Sequence, residues 1–134
     1  MKTAVIYWSG TGNTEAMAKA VAEAADAGLF TVSEFNGNAA DYDAFAFGCP
    51  AMGAEVLEED EFEPFFTSIE SSLSGKKVLL FGSYGWGDGE WMRNWYERTK
   101  EANAEMIGDE GFIVNETPSD DDLVKLKEMA KQLA

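Results

Sequence analysis

Val5-Ile6-Tyr7-Trp8-Ser9-Gly10-Thr11-Gly12-Asn13-Thr14 breaks an apolar run abruptly into a hydroxyl- and glycine-rich loop, which leads into an alanine-rich helical pattern. A strand that hands an anion to a helix has this form. The glycines allow a tight fold in which successive N–H groups converge on one phosphate, and Ser9, Thr11 and Thr14 add hydroxyl donors. The loop carries no Lys or Arg, and the glycine-lysine pair of a nucleoside-triphosphate loop is missing, so a triphosphate with magnesium is a poor fit and a buried phosphate monoester a better one. The plainer alternative is an ordinary strand-turn-helix connection with Thr14 as helix N-cap.

The chain has 134 residues, a length that supports one domain over 1–134 with its own core and no need of disulfides or structural metal. Its single cysteine, Cys49, excludes an internal disulfide framework. Met1-Lys2-Thr3 runs straight into the first strand without a signal-peptide pattern, so a cytoplasmic, freely soluble protein is expected. No apolar run approaches the ~18 residues of a spanning helix. The formal charge of −15 disfavours nucleic acid and anionic lipid, favours partners with basic faces, and suits a monomer. Histidine is absent, and with it the commonest general base and transition-metal ligand.

Apolar runs at Ala4–Trp8, Phe30–Phe35, Ala44–Cys49, Val78–Ser83 and Phe112–Asn115 alternate with helical patterns and read as five β/α units. The near-continuous runs Ala44-Phe45-Ala46-Phe47 and Val78-Leu79-Leu80-Phe81 suit parallel strands buried on both faces, and the second run suits an edge. The first helix is predicted to start near Thr14 and to end at Gly28, and a later one stacks Phe62, Phe65, Phe66, Ile69 and Leu73 as core. The last opens at Ser119 with Asp122 three residues on, a capping-box arrangement. In such α/β folds ligands bind beyond the carboxyl ends of the strands, which singles out the loops Ser9–Thr14, Pro50–Glu59 and Ser83–Gly89.

Gly82-Ser83-Tyr84-Gly85-Trp86-Gly87-Asp88-Gly89-Glu90 sets two aromatics among glycines where the backbone cannot enter the core. Trp86, flanked by Gly85 and Gly87, can lay its face on a flat conjugated ring while main-chain N–H groups approach the ring's edge. A tryptophan capping the sheet end is the simpler alternative. Ala51-Met52-Gly53-Ala54-Glu55 offers a thioether for the opposite ring face, a flexible peptide and a carboxylate acceptor. A phosphate cradle with two ring-facing side chains describes flavin mononucleotide (FMN).

On these residues the chain resembles a short-chain flavodoxin of the clostridial and Megasphaera type. The resemblance spans nearly the whole chain and is carried by Tyr7-Trp8-Ser9-Gly10-Thr11-Gly12-Asn13-Thr14-Glu15, Gly48-Cys49-Pro50-Ala51-Met52-Gly53, Glu63-Pro64-Phe65 and Leu80-Phe81-Gly82-Ser83-Tyr84-Gly85-Trp86-Gly87. It implies an α/β, flavodoxin-like three-layer sandwich with a five-stranded parallel sheet in the order 2-1-3-4-5 and helices on both faces. It also implies non-covalent FMN and one-electron transfer between redox proteins, often in place of ferredoxin. Met52 and Trp86 would sandwich the isoalloxazine, Glu55 would accept from the ring's N3, and the Gly53-Ala54 peptide would flip on reduction. The family often has a polar residue where Ala54 stands. Ser9, Thr11, Asn13 and Thr14 with the Gly10–Thr14 backbone, including Gly12, would hold phosphate. Ser83 and Pro50-Ala51 fall where ribityl contacts are expected, Gly85 and Asp88 could bring backbone N–H groups to the ring's pyrimidine edge, and Tyr84 and Gly87 complete the expected cofactor-binding set. Asn115 and Glu116 end strand five near the ring's edge.

Two other folds are excluded on residues. A low-molecular-weight tyrosine phosphatase needs an arginine six positions after its cysteine, where this chain has Glu55, and a receiver domain needs an aspartate where Cys49 stands. Cys49 reads as a small buried hydrophobe. The carboxylates Glu55, Glu58, Glu59, Asp60, Glu61 and Glu63 would each oppose a second electron on the flavin. One unit charge at ~8 Å and an effective dielectric of about 20 costs roughly 2 kcal/mol before screening. A net penalty near ~3 kcal/mol lowers a one-electron potential by roughly 130 mV. The expectation is therefore a low-potential carrier, not an enzyme, that cycles between semiquinone and hydroquinone, with the acidic run as docking face for basic-faced reductases and electron acceptors. The alternatives are an FMN-binding regulatory module or a small FMN-dependent reductase.

Overall fold

Strands that alternate large and small apolar residues need cover on both faces, and a computed structural model of the chain, which describes residues 2–10, 12–53 and 55–133, supplies it. Strands β1 (Thr3–Tyr7), β2 (Gly28–Thr31), β3 (Ala44–Gly48) and β4 (Lys77–Tyr84) lie parallel in the order β2-β1-β3-β4. Two short parallel strands, β5 (Glu105–Met106) and β6 (Phe112–Asn115), share the far edge of β4. The helices are α1 (Asn13–Ala25), α2 (Phe62–Glu70), α3 (Glu90–Glu101) and α4 (Asp120–Ala130).

Strand parity assigns the two cores. Ala4, Ile6, Phe45, Phe47, Val78 and Leu80 face Phe62, Phe66 and Ile69 of α2 and Trp91 and Trp95 of α3. Their neighbours Val5, Tyr7, Ala44, Ala46, Leu79 and Phe81 face Met17 and Val21 of α1 and Leu126 and Ala130 of α4. This is the expected three-layer sandwich. The phenylalanines of α2 are core, with Trp95 edge-on to Phe62 and Phe66 at 5.4 and 5.7 Å. The buried Trp95 Nε1–H has no hydrogen-bond partner among the described residues. α4 opens with the anticipated capping box, Ser119 accepting from the Asp122 N–H and Asp122 accepting from the Ser119 N–H.

Four boundaries differ from the sequence expectation. The first helix ends at Asp26, which takes a left-handed conformation (φ 52) without glycine's help, so Gly28 opens β2 instead of ending α1. β2 stops at Thr31 rather than Phe35, because the N–H groups of Glu34 and Phe35 turn back onto the Thr31 carbonyl and Phe35 packs edge-on against Phe30. No α-helix links β2 and β3 among the described residues. A single 3-10 turn, Ala39–Asp41, does so, its first N–H groups capped by Asn38. The fifth strand is split: β4 advances from Val78 to Phe81 while its partner advances from Met106 to Phe112, and the surplus loops out around Gly108 (φ 80).

Candidate functional site

The loop after β1 holds its shape through Ser9 rather than through Thr14. Ser9 Oγ accepts from the Gly12 N–H at 3.1 Å and from the Glu15 N–H at 3.3 Å, while Gly12 (φ 96) serves as N-cap of α1. The Asn13 and Thr14 N–H groups have no partner among the described residues, so the first turn of α1 presents unsatisfied donors at the positive end of its dipole. Thr14 is buried, and its Oγ1 pairs with Ser83 Oγ at 3.0 Å, tying the start of α1 to β4. Thr11 lies outside the described residues.

The loop after β3 makes the facing wall. The Ala51 N–H donates to the Ser83 carbonyl at 3.0 Å, and Met52 and Val56 exchange both backbone hydrogen bonds, at 2.9 and 3.0 Å, to close a tight reversal. Gly53 (φ 47) and Glu55 (φ 55) supply the left-handed turns. Ala54 lies outside the described residues. Glu55 reaches over to the loop after β4, where its Oε1 accepts from the Gly89 N–H at 3.2 Å. A Cβ on Gly87 would fall 2.3 Å from that carboxylate oxygen and push the side chain aside, and the left-handed φ of 88 itself favours glycine there. Arg93 holds the same loop from the other side, donating to the Asp88 carbonyl and carboxylate at 3.0 Å each. Trp86, at the tip, is 65% exposed.

Between these loops lies a cleft of about 480 Å³, within the usual ~300–1,000 Å³ of small-ligand sites. Gly10, Asn13, Pro50, Ala51, Met52, Ser83, Tyr84 and Gly85 from the predicted set line it, with Trp8, Glu116 and Thr117. Glu55, Trp86, Gly87 and Asp88 stand in the adjoining loops but do not line it. A second cavity of about 470 Å³ lies on the other side of Trp8 and is lined by Tyr7, Ser9, Gly12, Glu15 and Glu61 among others. Its carboxylates suit an anionic ligand poorly. Tyr7 there is driven above its ordinary pKa by burial and then by Glu15, whose carboxylate accepts from its hydroxyl at 3.2 Å. Sequence reasoning overlooked Trp8 and Thr117. An indole ending a strand just before a glycine loop was the available signal for Trp8, and nothing in the sequence marked Thr117.

The acidic run is largely structural. Burial alone would push the Glu58 carboxyl up, but N–H donation from Phe62, Glu61 and Asp60, at 2.8, 2.7 and 2.9 Å, outweighs it and holds the group below its ordinary value. Glu58 thereby caps the start of α2. Glu63 forks with Arg98 (2.8 Å for both bonds), and Glu61 accepts from Trp8 Nε1 at 3.2 Å. Glu59 and Asp60 have no carboxylate partner among the described residues. Cys49 is fully buried, and burial pushes its thiol far above the reach of neutral pH, in keeping with a packing role. No helix among the described residues is long and apolar enough to cross a membrane.

The flavodoxin family profile matches residues 5–130. The chain is 48% identical over 136 aligned positions to the flavodoxin of Megasphaera elsdenii, covering 97% of this chain and 96% of that one. It is 48% identical over 120 positions to the flavodoxin of Clostridium beijerinckii, covering 85% and 81%. The solved structure of two-electron reduced Megasphaera elsdenii flavodoxin aligns at a TM-score of 0.84 with 44% identity, over 97% of this chain and 98% of that one. The chain belongs to the flavodoxin family. It is an FMN-based electron carrier that works with redox partners, an electron-transfer protein rather than an enzyme. The cleft's lining suits that cofactor: it has no cation among the described residues, Gly10 comes from the loop before α1 and Asn13 from its first turn, Ser83 adds a hydroxyl, Pro50 and Met52 follow β3, and Tyr84 ends β4. A Cβ on Gly85 would meet nothing within 4 Å, which leaves room for a flat ring.

Proposed function

We propose that this cleft is the FMN site and that the chain, as one domain over 1–134, is a low-potential one-electron carrier that substitutes for ferredoxin. The observation that supports this best is the cleft's polarity. Unpaired N–H groups at the start of α1 meet a thioether and aromatic rings across the same cleft, and carboxylates dominate the protein's charge. Ser9, Gly10, Thr11, Gly12, Asn13 and Thr14 take the phosphate. Pro50, Ala51 and Ser83 take the ribityl chain. Met52 and Trp86 take the two ring faces, and Gly53, Ala54, Glu55, Tyr84, Gly85, Gly87 and Asp88 take the ring's edges. FMN supplies the redox-active ring. The protein orients it, limits water on one face, and opposes added negative charge through Glu55, Glu59, Asp60 and Glu116, with Arg93 already matched to Asp88.

The same charges define the partners. A monomer of net charge −15 with its flavin edge among carboxylates attracts basic-faced redox proteins in the cytoplasm and repels copies of itself. Anaerobic stopped-flow reduction of the FMN-loaded protein by a basic-faced reductase tests this. The second-order rate is expected to fall by about tenfold or more from low to physiological salt. A rate independent of ionic strength would remove the docking face.

A further inference from the structure

Trp8 is the shared wall of the two cavities, and three contacts fix where it stands. Its main chain extends the sheet, with the N–H donating to the Gly48 carbonyl at 3.0 Å. Its six-membered ring lies over Gly10, so that a Cβ on Gly10 would fall 3.2 and 3.3 Å from the ring carbons Cη2 and Cζ3. Its Nε1–H donates to Glu61 Oε1 at 3.2 Å. Glu61 is in turn held by its own N–H on Glu58 Oε1 at 2.7 Å, and the Glu58 N–H rests on Cys49 Sγ at 3.4 Å at the end of β3. The loop after β1 is thus linked, through one indole and two glutamates, to the loop after β3. These are the two walls of the cleft.

We infer that the Trp8–Glu61 hydrogen bond pins the indole over Gly10 and presets the glycine loop for the phosphate, which makes Trp8 a positioning residue for choosing FMN over riboflavin. This rests on the reading of Ser9–Thr14 as the phosphate site. Without the Glu61 bond, the ring can swing into the second cavity, and the Gly10 backbone regains the conformational range that glycine has by default. Met52 and Tyr84, in the apolar part of the cleft, make no hydrogen bond to Trp8 or Glu61 among the described residues. Loss of the bond therefore weighs on the phosphate end.

Flavin-fluorescence titrations of the full chain with FMN and with riboflavin read this directly, in the wild type, Trp8→Phe, Glu61→Ala, the double variant and Glu61→Gln. Loss of one such bond is expected to lower the FMN-to-riboflavin affinity ratio by about three- to tenfold in Trp8→Phe and in Glu61→Ala. The double variant should match the single ones, because one shared interaction is lost only once. Glu61→Gln, which keeps an acceptor oxygen, should restore the wild-type ratio. An unchanged ratio in Trp8→Phe, with FMN preference intact in the wild type, overturns the proposal, as does an additive double variant. A wild type that binds both flavins equally overturns the phosphate reading and the proposal with it. A variant that failed to fold would bind neither flavin, so riboflavin retention is the internal control.

Discussion

Replacing Glu58 should be the costliest single change in the acidic run, although the residue does not line the cleft. Its carboxylate accepts three backbone N–H groups at 2.9, 2.7 and 2.8 Å from Asp60, Glu61 and Phe62. In Glu58→Ala, water can reach the exposed Asp60 and Glu61, but Phe62 is fully buried and its N–H would be orphaned. With about 2 kcal/mol for the buried donor and about 0.5 for each of the others, the loss is about 3 kcal/mol. In Glu58→Gln, one carbonyl oxygen remains but the amide NH₂ faces a donor, so about half is lost. At a urea m-value of about 1.5 kcal/mol/M, the unfolding midpoint falls by about 2 M and 1 M respectively. The folded carboxyl is held below its ordinary value, so its contribution is complete above about pH 4.3 and is lost as pH falls through the folded value. The gap between wild type and Glu58→Gln should therefore close from pH 6 toward pH 3. A midpoint shift under about 0.5 M for Glu58→Ala, or a gap that widens toward acid, would refute the capping account.

Arg98 forks to both Glu63 and Glu70 and lies 4.9 Å over the Phe66 ring. Arg98→Ala should cost about 2 kcal/mol at pH 7, a figure kept modest because Glu63 is 38% exposed, and Arg98→Lys should recover less than half. Hydrogen bonding to Arg98 holds the Glu63 carboxyl low, so this loss should also shrink below about pH 4 in denaturant titrations. Gly82→Ala places a Cβ 2.2 Å from the Cys49 carbonyl oxygen just past the end of the β3–β4 pairing, and calorimetry should show a melting temperature lower by about 8 °C for roughly 2 kcal/mol of strain. Cys49 should resist thiol reagents at pH 8 in the native state and react only at the rate of unfolding, whereas fast native labelling would contradict its burial.

Much of this molecule was legible because local chemistry and tertiary position agreed. The phenylalanine spacing of α2, the Ser119–Asp122 box and the glycine loops after β1 and β4 each carry their own physical reason. The misread boundaries share another cause. Phe30 and Phe35 look like one alternating strand, yet they meet each other across a turn, and only the backbone bonds to Thr31 reveal it. The fifth strand breaks where a left-handed Gly108 lets the chain loop out, and no periodicity marks that. At the candidate site, glycines and aromatics singled out the loops, while several hydrogen-bond partners within them came only with folding. Glu58 and Glu63 read as surface charge because their partners, the N-terminus of α2 and Arg98, come from folding. Ser9 rather than Thr14 braces the loop before α1, because the chain curls back so that the Gly12 and Glu15 N–H groups reach its hydroxyl. Trp8 read as strand, and its indole became part of the site only through Gly10 and Glu61.

The most direct test of the electron-carrier account is an anaerobic dithionite titration of the FMN-loaded protein, followed by visible absorbance. The account predicts one flavin per chain and two resolved one-electron steps, with a long-wavelength band near ~580 nm that rises and then decays as the protein's excess negative charge resists the second electron. Direct bleaching in a single two-electron step, or release of the flavin, would contradict it.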